Sequence, residues 1–229
     1  IEKLKFVCGL VSEVFEDLPN WPLDGTPLLE LFRTFKINAL SSGVDDVSYL
    51  VGAAGKGGYF DIIAPPTENK LKKGDIFMLD TGCVWDGYFS DFDRNFALGY
   101  ATDEAIEAHE KLIDATDAAV QSINPGVTQS KDLFHTMSQV LYPDIDPSDL
   151  KVDDVGRLGH GLGIQLTEPP SHTSWDETTI VPGMALTIEP SIVYGNQHHL
   201  MVAEENIFVT EKGFEYLSKP RSRTLKIIN

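Results

Sequence analysis

The stretch DIFMLDTGCVWDGYFSDFDRNFALG, residues 75–99, decides the fold. Its centre, Asp86-Gly87, is a strong hairpin signal because both residue types tolerate the positive φ of a tight two-residue turn. Such a turn fixes the pairing of the two strands, since the numbers of paired residues must sum to a constant. The pairs expected are Trp85 with Tyr88, Gly82 with Asp91, and Asp80 with Asp93.

Asp80 and Asp91 then lie on one face of the hairpin as diagonal neighbours, roughly 7–8 Å apart. Two carboxylates at that separation are able to bridge a pair of metal ions about 3.5–4 Å from each other. Gly82, opposite Asp91, leaves room for them. Asp is also common at strand ends and turns, so these two residues alone do not establish a site.

Composition excludes several classes of protein. The chain has 229 residues, 42% of them hydrophobic, and a formal net charge of −17, which argues against binding nucleic acid or an anionic membrane. No apolar run approaches the ~20 residues needed to span a bilayer. The first residues are not a signal pattern, and two cysteines fit a reducing compartment, so a cytoplasmic location is expected.

The hydrophobic pattern predicts an α+β fold, with helices packed on one face of a mainly antiparallel sheet. Helices are predicted over 4–18, 26–35, 103–123 (capped by Thr102) and 128–142. After Lys151 the pattern returns to strands and loops, with strands over 184–189 and 200–210. The order of elements in the first half is echoed in the second.

Three further polar residues lie where a buried strand or tight loop normally avoids them. His160 is in the glycine loop Gly159-His-Gly-Leu-Gly163, Glu189 ends an apolar strand, and Glu204 interrupts another. Each has a structural explanation when taken alone. Glu204 and its neighbour Glu205 must face opposite sides of a strand.

Taken jointly, these residues resemble, in order and spacing, the metal ligands of the pita-bread metallopeptidases, which include methionine aminopeptidase, aminopeptidase P, prolidase and creatinase. The resemblance extends from the first helix to Thr210. It rests on Leu71-Lys-Lys-Gly-Asp75, Asp80-Thr-Gly82, Gly87-Tyr-Phe-Ser-Asp91 with Arg94, Gly159-His-Gly-Leu-Gly163, Glu168-Pro-Pro170, Gly183-Met-Ala-Leu-Thr-Ile-Glu-Pro190, and Glu204.

The resemblance implies a pita-bread fold with pseudo-two-fold halves, formed by residues 1–229 as one catalytic domain without the N-terminal creatinase-type domain. It implies a site for two divalent ions (Mn, Fe, Co or Zn), held by Asp80, Asp91, His160, Glu189 and Glu204. Asp91 and Glu204 would bridge the ions. Glu189 would act as general base towards an activated water, with His160 as the second catalytic residue.

The chain departs from the family at positions where histidines usually bind the substrate. Ile63, Gly156 and Thr167 occupy those positions. Thr167 is able to donate a hydrogen bond but cannot carry charge or a proton as imidazole does. His172, His198 and His199 are candidates for substitutes.

Asp93 is a further departure, because the family usually has Thr there. It faces Asp80 in the predicted hairpin, which makes it a candidate metal ligand or a carboxylate that supports the ligands. Asp93, Thr167, His198 and His199 are therefore the candidate residues around the metals.

The leading functional hypothesis is a metallohydrolase of the Xaa-Pro aminopeptidase or dipeptidase type that cleaves a small peptide amide. The missing histidines support an alternative, a creatinase-like enzyme acting on a small metabolite amide. A non-catalytic binding module is a third class. Relatives of the prolidase type dimerise, so a homodimer is an expectation.

Overall fold

The computed structural model describes residues 1–145 and 156–229, and it has the predicted mixture of helices and strands. The helices are α1 (Glu2–Asp17), α2 (Leu28–Ser42), α3 (Asp103–Gln121) and α4 (Ser130–Leu141). The predicted start of the strand-rich part at Lys151 lies outside the described residues. No helix in the described ranges is long and apolar enough to cross a membrane.

Local signals explain where the helices of the second half begin. The Thr102 side chain accepts a hydrogen bond from the backbone N–H of Ala105, which confirms it as the N-cap of α3. The predicted start of α4 at Thr128 is two residues early. The helix begins at Ser130, where Gln129 is the N-cap and forms a reciprocal capping box with Asp132.

The strands of the described residues form three sheets. The strands are β1 (Asp46–Lys56), β2 (Asp75–Trp85), β3 (Tyr88–Leu98), β4 (His160–Gly161), β5 (Glu168–Ser171), β6 (Ala185–Ile188), β7 (Ser191–Tyr194), β8 (His199–Val202), β9 (Glu205–Thr210), β10 (Gly213–Tyr216) and β11 (Lys226–Ile228). One sheet has the order β1-β2-β3-β11, the second β10-β9-β6-β4-β5, and the third β7-β8. All pairs are antiparallel except β3 with β11.

Strand β2 separates two hydrophobic cores. Ile76 and Met78 pack into the core beneath α3 and α4, whereas Phe77 and Leu79 pack into the core beneath α1 and α2. Because successive side chains of a strand point to opposite faces, both faces of β2 are covered. Asp80 follows Ile76 and Met78 on the same face, so it points towards the second half of the chain.

The single strand predicted over 200–210 is wrong. The structure divides it into β8 and β9, and Ala203 and Glu204 lie between them without strand pairing. Ala203 instead donates its backbone N–H to the carbonyl oxygen of Pro190 at 3.0 Å. The break lets the chain turn at Glu204, which is 2% exposed.

Candidate metal centre

The β2–β3 hairpin has the register that the Asp86-Gly87 turn predicts. Asp86 and Gly87 have φ values of 47° and 80°, as a tight hairpin turn with two positive φ angles requires. Trp85 pairs with Tyr88, Gly82 with Asp91, and Asp80 with Asp93. Asp80, Asp91 and Asp93 therefore share one face of the hairpin.

Three of the predicted ligands come together from distant parts of the chain. Ligand atoms of Asp91, His160 and Glu204 all lie within 4.8 Å of one another. His160 Nε2 is 3.4 Å from Asp91 Oδ2 and 3.9 Å from Glu204 Oε1. The three side chains are buried, so a cation placed among them would be shielded from water.

The other two predicted ligands, Asp80 and Glu189, lie outside this group of three but within its electrostatic reach. Burial raises the pKa of Asp80 well above its usual value, and the charges of Asp91 and Glu189 raise it further. Glu189 directly follows β6, and its backbone N–H donates to the carbonyl oxygen of Leu158 at 3.1 Å. That bond ties Glu189 to the loop that carries His160.

The cluster is costly in free energy when no cation is present. Burial raises the pKa of Asp91 to about 8 and that of Glu189 to about 7. Burial and the charges of Asp91 and Glu189 also raise the pKa of Glu204 well above its usual value. In the described part of the chain, Asp80 Oδ1 and Glu204 Oε1 have no hydrogen-bond partner. Buried carboxylates without donors require a proton or a cation, so this donor set fits divalent ions.

His160 is oriented as a metal ligand would be. Its Nδ1 lies 2.8 Å from the carbonyl oxygen of Gly161, which favours a proton on Nδ1 and leaves the lone pair of Nε2 facing the carboxylates. Burial also lowers the pKa of His160, favouring the neutral form that binds metals. Gly159 has a φ of 129°, and a Cβ atom there would meet the carbonyl oxygen of Thr187 at 2.3 Å, so this turn requires glycine.

Buried polar side chains hold the strands of the site together. The Asn206 side-chain amide pairs with the backbone of Asp91, accepting from its N–H at 2.9 Å and donating to its carbonyl oxygen. Arg94 Nη1 donates to the carbonyl oxygens of Asp93 and Glu204 at 2.6 and 3.2 Å. These contacts fix the hairpin against the break before β9.

The candidate substrate histidines lie elsewhere. His199 packs against Phe60 and Tyr194, with ring centroids 4.8 and 5.6 Å apart. His198 is exposed in the β7–β8 turn with a φ of 58°. The ring of His172 is buried and bonded to Ser130, 2.7 Å from its Oγ. None of these contacts is with the carboxylates.

The positions that lack the family histidines are open to solvent. The Ile63 side chain is 67% exposed. Gly156 and Thr167 are also exposed. Thr167 is the one of the three with a side-chain partner, since Arg157 Nη2 donates to its Oγ1 at 3.3 Å.

Two residues near the candidate metal ligands are not predicted from the sequence. Tyr49 pairs with Gly82 after an irregularity in β1, so its face could not be deduced by counting. Its hydroxyl lowers the pKa of Asp80, against the larger effect of burial, which raises it. Arg157 is exposed, and its charge lowers the pKa values of Asp91 and Glu189. The sequence feature that could have identified Arg157 is its position just before the glycine loop that carries His160.

The fold and the buried carboxylates around one imidazole define the class, an α+β protein with the ligand types of a divalent-metal site. The model of metallopeptidase family M24 matches residues 2–211, and the chain belongs to that family. The pita-bread fold is confirmed by a dipeptidase from Pyrococcus horikoshii, with a TM-score of 0.86 at 27% identity. That alignment covers 100% of this chain and 62% of the other.

Two curated relatives are similar to this chain in sequence. An Xaa-Pro dipeptidase from Pyrococcus furiosus is 28% identical over 159 residues, which are 69% of this chain and 44% of the relative. An uncharacterized peptidase from Staphylococcus aureus is 31% identical over 228 residues, which cover 95% of this chain and 60% of the relative. The chain thus spans between 44% and 60% of the length of these two relatives.

Proposed function

We propose that this chain carries the catalytic site of a dinuclear metal-dependent peptidase that cleaves Xaa-Pro-type dipeptides or short peptides. The observation that carries the proposal is the buried group of Asp91, His160 and Glu204, with ligand atoms within 4.8 Å of one another. Similarity to an Xaa-Pro dipeptidase supports the choice of substrate. The ligand set comprises these three residues with Asp80 and Glu189.

When bound, the ions would supply Lewis-acid activation of the attacking water and of the amide carbonyl. The protein supplies the proton transfers. Glu189, a carboxylate held beside the loop of His160 by the bond from its backbone N–H to Leu158, is the group to accept a proton from the water and to deliver it to the leaving nitrogen. His160 acts as a ligand, held by its bond to the carbonyl oxygen of Gly161.

Arg157 supplies a donor beside the site in place of the missing histidines. Its guanidinium meets Thr167, which stands at one of the histidine positions. It makes no ion pair in the described part of the chain, and its charge acts on Asp91 and Glu189. Arg157 is therefore the group to hold the carbonyl or carboxylate oxygen of a substrate.

A creatinase-like reaction on a small metabolite amide is the second candidate. The exposed Ile63, Gly156 and Thr167 favour it, because no imidazole stands at these positions to polarise a peptide carbonyl. The same ligands and the same Glu189 would serve either reaction. The substrate therefore separates the two candidates.

The test is a screen of the chain reconstituted with Mn²⁺, Fe²⁺, Co²⁺ or Zn²⁺, pairing Xaa-Pro dipeptides and tripeptides with small-metabolite amides. Asp91→Ala is the blank. Turnover of Xaa-Pro peptides above that blank is expected. Turnover of metabolite amides alone would favour the second candidate, and metal-loaded protein with no turnover of either set would contradict both.

Several finer features belong to the same proposal. Residues 1–229 form one catalytic domain, manganese is among the expected metals, and the protein works as a homodimer in the cytoplasm. Cys8 and Cys83 are buried free thiols, which supports a reducing compartment. Metal analysis and the mass of the assembly in solution test the metal and the dimer.

A further inference from the structure

Asp93 is the most completely unsatisfied carboxylate of the site. It is 1% exposed, and in the described part of the chain neither of its side-chain oxygens has a hydrogen-bond partner. It pairs with Asp80 across the hairpin and shares a face with Asp91. A buried, uncompensated carboxylate costs several kcal/mol, so its environment must supply a cation or a proton.

The nearby arginines do not satisfy it. Arg94 donates to the backbone carbonyl of Asp93, and its other bonds go to Glu204, Glu205 and Lys219. Arg221 donates through its Nη atoms to Glu205, Leu112 and Thr116. Both charges stabilise the ionised form of Asp93 from a distance, yet neither guanidinium donates to its carboxylate oxygens.

Resting on the proposed function, we propose that Asp93 is a sixth ligand residue, which gives a carboxylate oxygen to the ion held by Asp80. The site then contains five carboxylates and one imidazole. Such an oxygen-rich set suits hard divalent ions, so Asp93 would shift the preference of the site towards Mn²⁺ and away from Zn²⁺.

The experiment is calorimetric titration of Mn²⁺ and of Zn²⁺ into chelator-stripped protein, with wild type and Asp93→Asn compared. Asn preserves the shape of the side chain but removes the anionic oxygen. We expect wild type to bind two ions per chain and Asp93→Asn to bind one of them at least about 10–100-fold more weakly. The loss should be larger for Mn²⁺ than for Zn²⁺. Asp103→Asn, an exposed carboxylate in the first turn of α3, is the charge-matched control and should titrate like wild type.

The outcomes separate the two proposals. Wild type that takes up neither ion contradicts the proposed function itself. Wild type that binds two ions, with Asp93→Asn binding both equally well, overturns only the role of Asp93. Asp93 would then be a protonated, neutral acid, a form that Asn imitates. Thermal melting shows whether Asp93→Asn is folded; if it is not, Asp93→Thr provides the same comparison.

Discussion

Glu204 and Glu205 are adjacent, and they are 2% and 1% exposed, yet their carboxylates meet opposite surroundings. Glu205 accepts from Arg94 at 3.0 Å, from Arg221 at 3.2 Å, and from Ser218 at 2.5 Å. Glu204 faces other carboxylates, and its Oε1, 3.9 Å from His160 Nε2, has no hydrogen-bond partner among the described residues. The exposed fraction of the side chain therefore does not separate the roles of the two glutamates. What separates them is whether hydrogen-bond donors reach the carboxylate oxygens, as they do in a structural glutamate and not in one arranged for a cation.

The largest effect is expected from Glu204→Gln. Loss of the charge of this proposed ligand should remove several kcal/mol of charge stabilisation, which is about 10³-fold or more in kcat/KM for Xaa-Pro peptides. The unfolding free energy of metal-stripped protein should not fall, because a buried, unpaired acid is removed. If Glu204→Gln kept its activity within tenfold of wild type, the proposed difference in role between Glu204 and Glu205 would be wrong.

Glu205→Gln should have the opposite character. It leaves Arg94 and Arg221 buried without their counter-charge, so we expect a loss of about 3–5 kcal/mol in unfolding free energy. Urea denaturation of metal-stripped protein measures this. A loss below about 1 kcal/mol would show that the network contributes little to stability.

The pH dependence of stability sharpens the comparison. The pKa values of about 8 for Asp91 and about 7 for Glu189 are raised above the ordinary 3.8 and 4.5 by burial. Groups of this kind stabilise the fold below their ordinary pKa, and the contribution is lost as pH rises through the folded value. Metal-stripped protein should therefore lose stability from about pH 4 to pH 8, more steeply than Asp91→Asn. Added Mn²⁺ should remove most of the difference in pH dependence between the two proteins. Unfolding free energies from urea denaturation that fall equally with pH in both metal-stripped proteins would contradict this account.

The smallest effect is expected from Arg157→Ala. Loss of one charge-assisted hydrogen bond to substrate, about 1.5 kcal/mol, should raise KM roughly tenfold and change kcat little. Arg33→Ala is the matched control, because Arg33 is an exposed arginine on α2 that pairs with Glu30. If both variants have the same KM as wild type, Arg157 does not contact the substrate.

Local signals predicted much of this molecule. Asp86-Gly87 predicted the hairpin register, and Thr102 predicted the start of α3. The break between β8 and β9 was missed, because an apolar run does not show where the chain must turn to bring Glu204 inwards. Tyr49 was missed because an irregularity in β1 shifts its register.

By itself, the sequence determined the face that Asp80, Asp91 and Asp93 share, because turn geometry and the two-residue period of a strand act over a few residues. Tertiary structure decided which carboxylates meet. Asp91 is clamped by Asn206, 115 positions away, and it meets His160 only when both halves of the chain pack together. When the two halves pack, the acids are buried and their pKa values rise. The carboxylates therefore require a cation or a proton only in the folded protein.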